Sequence, residues 1–129
     1  MKKNIRFNHC GPQFVVKNVT QAVKFYADVL GFGIDYINGS PPTYAVVFRD
    51  EVYIHLSYPK VIAYQIGPGA AFIAVTGAEK LWQHVQSSGA VIKDPISDQD
   101  FGQEVRFKTF TLQDPDQNIL RIGEQLRLC

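Results

Sequence analysis

Apolar residues along this chain change their spacing in a fixed order, and the order occurs twice. From Gln13 to Asn18 the chain alternates within an apolar, β-branched stretch carrying Phe14, Val15 and Val16, which predicts a strand. Ala22, Val23, Tyr26, Val29 and Leu30 then recur at helical spacing, so Gln21 to Leu30 is expected as a helix, capped by Asn18 or Thr20 and stopped by Gly31. Phe32 to Ile37 reads as a strand, the cluster Asn38-Gly39-Ser40-Pro41-Pro42 as a loop, and Tyr44 to Phe48 and Val52 to Tyr58 as two strands joined at Arg49-Asp50-Glu51.

The second half repeats this order. Ala71 to Val75 is expected as a strand and Ala78 to Ser87 as a helix with Leu81, Trp82 and Val85 on its apolar face. Gly89 ends it, and Ala90 to Ile92 makes a short strand. Val105 to Leu112 and Ile119 to Glu124 form a hairpin across Asp114-Pro115-Asp116-Gln117-Asn118. Sliding one half over the other by about 59 residues places Val16 on Val75, Ala22 on Leu81, Val23 on Trp82 and Tyr26 on Val85. The expectation is an α+β chain of two βαβββ modules in one domain over 1–129. Module one covers about 11–58, a linker 59–69 and module two about 70–125. The polar stretch Lys93 to Glu104 is long enough to be a flap.

Charge and cysteine content narrow the partners. The 129 residues carry thirteen basic and twelve acidic side chains, a formal charge of +1 with no block of one sign, so neither nucleic acid nor an anionic membrane is an expected partner. Met1-Lys2-Lys3 is not followed by the apolar run that a signal peptide or a membrane span requires, which points to the cytoplasm. Cys10 and Cys129, near opposite ends, suit neither a metal knuckle nor a disulfide framework and are read as thiols. No nucleophile elbow, P-loop, GxGxxG or HExxH motif occurs.

The run Val19-Thr20-Gln21-Ala22-Val23-Lys24-Phe25-Tyr26 leading to Val29-Leu30-Gly31-Phe32, with Asp114-Pro115-Asp116 and Asn118 before the last strand, resembles the glyoxalase/bleomycin-resistance/dioxygenase superfamily over roughly residues 11 to 125. The resemblance implies a curled mixed sheet around a cleft, often completed by a second chain, hence a homodimer. It also implies metal ligands, in the metal-dependent members, at the start of the first strand and in the last strand of each module. Those positions fall on Gly11, His55, Ala70 and Arg121, of which only His55 has a donor for a metal, whereas a catalytic divalent ion takes about three protein ligands. A register shift brings in Gln13 and His9. No cofactor is therefore expected.

Alternation in Tyr53-Ile54-His55-Leu56-Ser57 sends Ile54 and Leu56 to a covering helix and Tyr53, His55 and Ser57 to the cleft. His55 is then a ligand contact or an ordinary hydrogen-bonded histidine. Arg121, between Leu120 and Ile122, faces the same way, to grip a carboxylate, stack on a flat ligand or make a salt bridge. Phe101 before Gly102 matches an aromatic that in bleomycin-resistance-like relatives stacks on the ligand, or it anchors a loop. Tyr44, Phe48 and Trp82 read as core aromatics, and Asp114, Asp116 and Asn118 as a self-capping turn in preference to a calcium site.

Two functions from different classes follow. The first is a binding protein that sequesters a flat or amphipathic small molecule between Tyr53, His55, Phe101 and Arg121. The second is a metal-dependent glyoxalase-, lyase- or dioxygenase-like enzyme with a ligand set rebuilt from His55, His9 or Glu124. Sequestering relatives meet cationic bleomycin with a strongly acidic surface, a signature that this balanced chain lacks.

Overall fold

Asn18 begins the first helix as the sequence suggests: its side-chain oxygen accepts from the Gln21 amide at 2.9 Å, and Gly31 ends the helix with φ 73°. The computed structural model describes residues 4–59, 68–100, 102 and 105–126. Its elements run β1 (Gln13–Val15), α1 (Val19–Leu30), β2 (Gly33–Gly39), β3 (Pro42–Arg49), β4 (Val52–Ser57), β5 (Ala70–Ala74), α2 (Ala78–Ser87), β6 (Val91–Asp100), β7 (Arg106–Gln113) and β8 (Ile119–Leu126). They build two four-stranded mixed sheets, ordered β1-β4-β3-β2 and β5-β8-β7-β6. In each, the first strand pairs in parallel with the last and the other pairings are antiparallel. The fold is α+β, and the order βαβββ occurs twice.

Alternation decides which face of each sheet is covered. Ile54 and Leu56 of β4, Ala45 and Val47 of β3, and Leu120 and Ile122 of β8 are buried against the helices, joined by Val19, Ala22, Tyr26 and Leu30 of α1 and by Val85 of α2 in one core. Among the described residues no helix covers the opposite faces.

Two of the expected loops differ in the structure. The chain from Lys93 to Asp100 is strand and not flap: β6 continues along β7 to Asp100, with register shifts around Asp94 and Ser97. Pro95 sits in that irregular stretch, where an edge strand tolerates a missing N–H. The expected loop at Asn38–Pro42 is shorter, since β2 runs through Gly39 and β3 starts at Pro42. The second helix has no cap from its own sequence. Gly77 supplies none, and the Glu124 carboxylate of β8 accepts the Ala78 amide at 2.9 Å instead. The central part of the proposed linker and Cys129 lie outside the described residues.

The turn between β7 and β8 joins the modules. Asp114 Oδ1 accepts the amides of Asp116 and Asn118, and its Oδ2 accepts from Asn118 Nδ2 and from the hydroxyl of Tyr26 on α1. Asp116 does not cap the turn. Its carboxylate accepts the Lys17 amide of module one at 3.0 Å. Burial pushes the Asp116 carboxyl above its ordinary range, with the Lys17 amide opposing this and neighbouring Asp114 adding to it.

The sign of the resulting pH effect is fixed. With the folded pKa above the unfolded one, charging Asp116 costs stability; the cost is absent where both states are protonated and grows as pH rises through the carboxylate range. Asp116→Asn keeps an acceptor for Lys17 and removes the charge. Thermal melts are expected to show the variant more stable than the parent at neutral pH, with the gain gone by about pH 3. An equal or lower melting temperature at neutral pH would contradict this.

Candidate functional site

The helix-free face of sheet one is lined with aromatic rings. Cross-strand partners share a face, so the registers Tyr44↔Ser57, Val46↔His55 and Phe48↔Tyr53 place Tyr44 and Phe48 beside Tyr53 and His55. Tyr53 is sandwiched: Phe48 stacks on one side with ring centroids 5.6 Å apart, and His9, from the segment before β1, on the other at 5.3 Å. Tyr44 and Phe48 are thus not core side chains. Both are half-buried on the uncovered face, as are Tyr53 and His55.

His55 is oriented by its neighbours. Its Nδ1 is hydrogen-bonded to the Tyr44 hydroxyl, and desolvation raises the Tyr44 pKa. Gln13 lies directly across from His55 and donates to Ser57 Oγ at 3.1 Å. Gly11 is close enough that a Cβ there would lie 3.4 Å from the His55 ring and 2.7 Å from the Tyr53 carbonyl oxygen.

The corresponding face of sheet two is more polar. Arg121 pairs with Phe72 on one side and Thr111 on the other, and Thr109 and Phe107 continue that face along β7. Phe72 crosses β8 above Gly123, where a Cβ would come within 2.6 Å of its ring, and meets Phe107 edge-on at 5.9 Å. That placement needs a glycine. Trp82 packs instead on Phe110 in the core, away from this face.

Of the residues singled out in sequence, Tyr53 and His55 lie on one face two positions apart, and Arg121 lies on the helix-free face of the other sheet. Phe101 lies outside the described residues. Tyr44, Phe48, Phe72 and Phe107 were not expected there, and His9 only as a member of a rebuilt metal-ligand set. Only the alternation of Tyr44, Val46 and Phe48 could have signalled two of them, once β3 is paired with β4.

The implied metal positions do not fit a metal. Gly11, Ala70 and Arg121 have no suitable donor, which leaves His55 alone at those positions, and Glu124 caps α2 from the helix side. Among the described residues no three His, Cys, Asp or Glu side chains cluster to hold an ion.

A family model of the glyoxalase/bleomycin resistance protein/dioxygenase superfamily matches residues 6–122. The chain belongs to this superfamily. Solved structures share the superfamily's fold at low identity. TioX from Micromonospora sp. ML1 superposes with a TM-score of 0.78 at 13% identity, over 92% of this chain and 100% of its own. A member of the same superfamily from Sphaerobacter thermophilus gives 0.75 at 17%, over 92% and 98%. An integron cassette protein from the mobile metagenome of V. Cholerae gives 0.71 at 19%, over 93% and 97%. No curated protein matches the chain. At such identities the likeness is one of superfamily fold, and the ring-lined face is read from this chain's own side chains.

Proposed function

We propose that this protein binds a flat or amphipathic small molecule on the helix-free faces of its sheets and acts by holding it, as a cytoplasmic homodimer. The observation that carries the proposal is the half-exposed stack of His9, Tyr53 and Phe48 beside the His55–Tyr44 pair. Stacked rings at a partly wetted surface present a π face to a planar ligand, and the paired imidazole and phenol fix its polar edge. Arg121 on the other sheet adds a cation for a carboxylate or a second plane for stacking, and Phe101, outside the described residues, is proposed as a further ring contact to the ligand. Donor-poor positions at Gly11, Ala70 and Arg121 favour binding over metal-assisted chemistry. A homodimer is favoured by β2, an outer strand exposed along its whole length and bearing Ile34, Tyr36 and Ile37.

The test is a thermal-shift panel of planar aromatic antibiotics, bleomycin and small aromatic acids. A ligand of the native state at about 100 times its Kd adds roughly 2.7 kcal/mol of apparent stability. At least one probe is expected to raise the melting temperature by several degrees, and Tyr53→Ala to weaken its binding about tenfold through the lost stacking. The proposal fails if no probe stabilises the protein. It fails equally if the purified protein carries one divalent metal per chain with a turnover that His55→Ala abolishes, the result expected of an enzyme.

A further inference from the structure

The two modules meet at two pseudo-equivalent joints, and only one is closed by carboxylates of its hairpin turn. The bond from the Val16 amide to the Ser57 carbonyl oxygen has its counterpart in the bond from Val75 to Gly123, both 2.9 Å, so the repeat seen in sequence holds in the backbone. Lys17 then corresponds to Thr76, and Tyr26 to Val85. In the hairpins, placing the buried Ile54 on the buried Leu120 puts Arg49 at the position of Asp114 and Val52 at that of Asn118.

At the closed joint the β7–β8 turn reaches across to module one through Asp114 and Asp116. At the other joint the counterpart of each of these turn-mediated ties is missing among the described residues. The β3–β4 turn inserts only Asp50 and Glu51 between the paired Arg49 and Val52, and Arg49 donates to the Leu30 carbonyl oxygen of its own module at 2.8 Å. Val85 has no hydroxyl to offer. The Thr76 amide, counterpart of the Lys17 amide that Asp116 accepts, has no partner among the described residues. A cavity of about 820 Å³ lies here.

Its lining matches one kind of occupant. The floor is apolar, from Leu30, Phe32, Val52, Ile73, Leu81 and Ile122. On the module-two wall stand Thr76, Lys80 and His84; Lys80 has no ion pair among the described residues, and His84 Nε2 lies 3.1 Å from the Asp28 carbonyl oxygen. On the module-one wall Arg49, engaged by the Leu30 carbonyl oxygen, stands beside the acidic Asp50 and Glu51, so a negative group is favoured more at the Thr76 and Lys80 end.

We infer that this second joint is a binding site for a small amphipathic carboxylic acid. Its carboxylate accepts the Thr76 amide as Asp116 accepts Lys17, it pairs with Lys80, and its apolar body covers the floor. The site is separate from the ring-lined faces, being bounded by α1, α2 and the β3–β4 turn.

The experiment uses decanoate and its neutral counterpart decanamide at neutral pH and below their self-association range, with binding followed by calorimetry and by amide chemical shifts. Saturable decanoate binding is expected, with shifts at Thr76, Lys80 and His84 and with decanamide about tenfold weaker. Lys80→Met, at an exposed position, is expected to weaken decanoate three- to tenfold, and Leu81→Trp to block it by filling the floor; about the same decanoate affinity is expected in Tyr53→Ala. Equal binding of acid and amide, shifts mapping to Tyr53 and Phe107, or no saturable binding would each overturn the inference. If Leu81→Trp does not fold, the Lys80→Met affinity and the shift map decide the matter alone.

Discussion

Asp114→Ala is expected to lower the stability of the domain by about 3–5 kcal/mol, a fall of roughly 10–20 °C in Tm. One carboxylate there accepts four hydrogen bonds, from the amides of Asp116 and Asn118, the side chain of Asn118 and the hydroxyl of Tyr26. Tyr26 and Asn118 are fully buried, so losing their acceptor leaves donors that water does not reach. Tyr26→Phe tests the same joint from the other side. It removes donor and hydroxyl together and leaves the carboxylate three partners, so its cost is about 1–2 kcal/mol. Chemical denaturation of both variants and their combination is the measurement. Costs that simply add would show that the hydroxyl and the carboxylate act independently, against the joint described here.

Gly11→Ala is expected to cost about 1–3 kcal/mol although it adds a single methyl group. The new Cβ would stand 2.7 Å from the Tyr53 carbonyl oxygen, a backbone atom, in a segment fixed by the bond from the His55 amide to the Pro12 carbonyl oxygen at 2.9 Å. Either β4 shifts or that pairing lengthens. Gly123→Ala makes the contrast: its Cβ would meet the Phe72 ring at 2.6 Å, and a half-exposed ring swings away. That variant is expected to stay within about 1 kcal/mol of the parent in urea denaturation. Equal losses in the two would refute the distinction between a rigid and a yielding neighbour. Any L side chain at Gly11 meets the same carbonyl, so a metal donor cannot be returned to that position without moving the strand.

Much of the fold was legible because local signals agreed with it. The cap at Asn18, the stop at Gly31 and the span Ala78–Ser87 rest on residues within a turn of the feature they set. What failed depended on partners distant in sequence. Asp94-Pro95 reads as loop by itself, and becomes strand because β7 supplies an edge to follow. Glu124 caps a helix 46 residues earlier, which no local pattern announces. The site divides similarly: alternation along β4 separates Tyr53 and His55 from Ile54 and Leu56, but Tyr44 and Phe48 look like core until the β3–β4 register puts them on that face. His9 could not be placed from sequence, since the segment before β1 has no periodicity of its own.

The irregular pairing of β6 has a consequence for assembly. Of the four edge strands β1, β2, β5 and β6, β6 is interrupted by register shifts and a proline, which spoil it as a template for a further strand, whereas β2 offers seven exposed residues with three large apolar side chains. Copies that join edge to edge through β2 therefore find in β6 a poor edge for recruiting another copy. The broken register of β6 thus works against growth from pairs into a fibre through that edge.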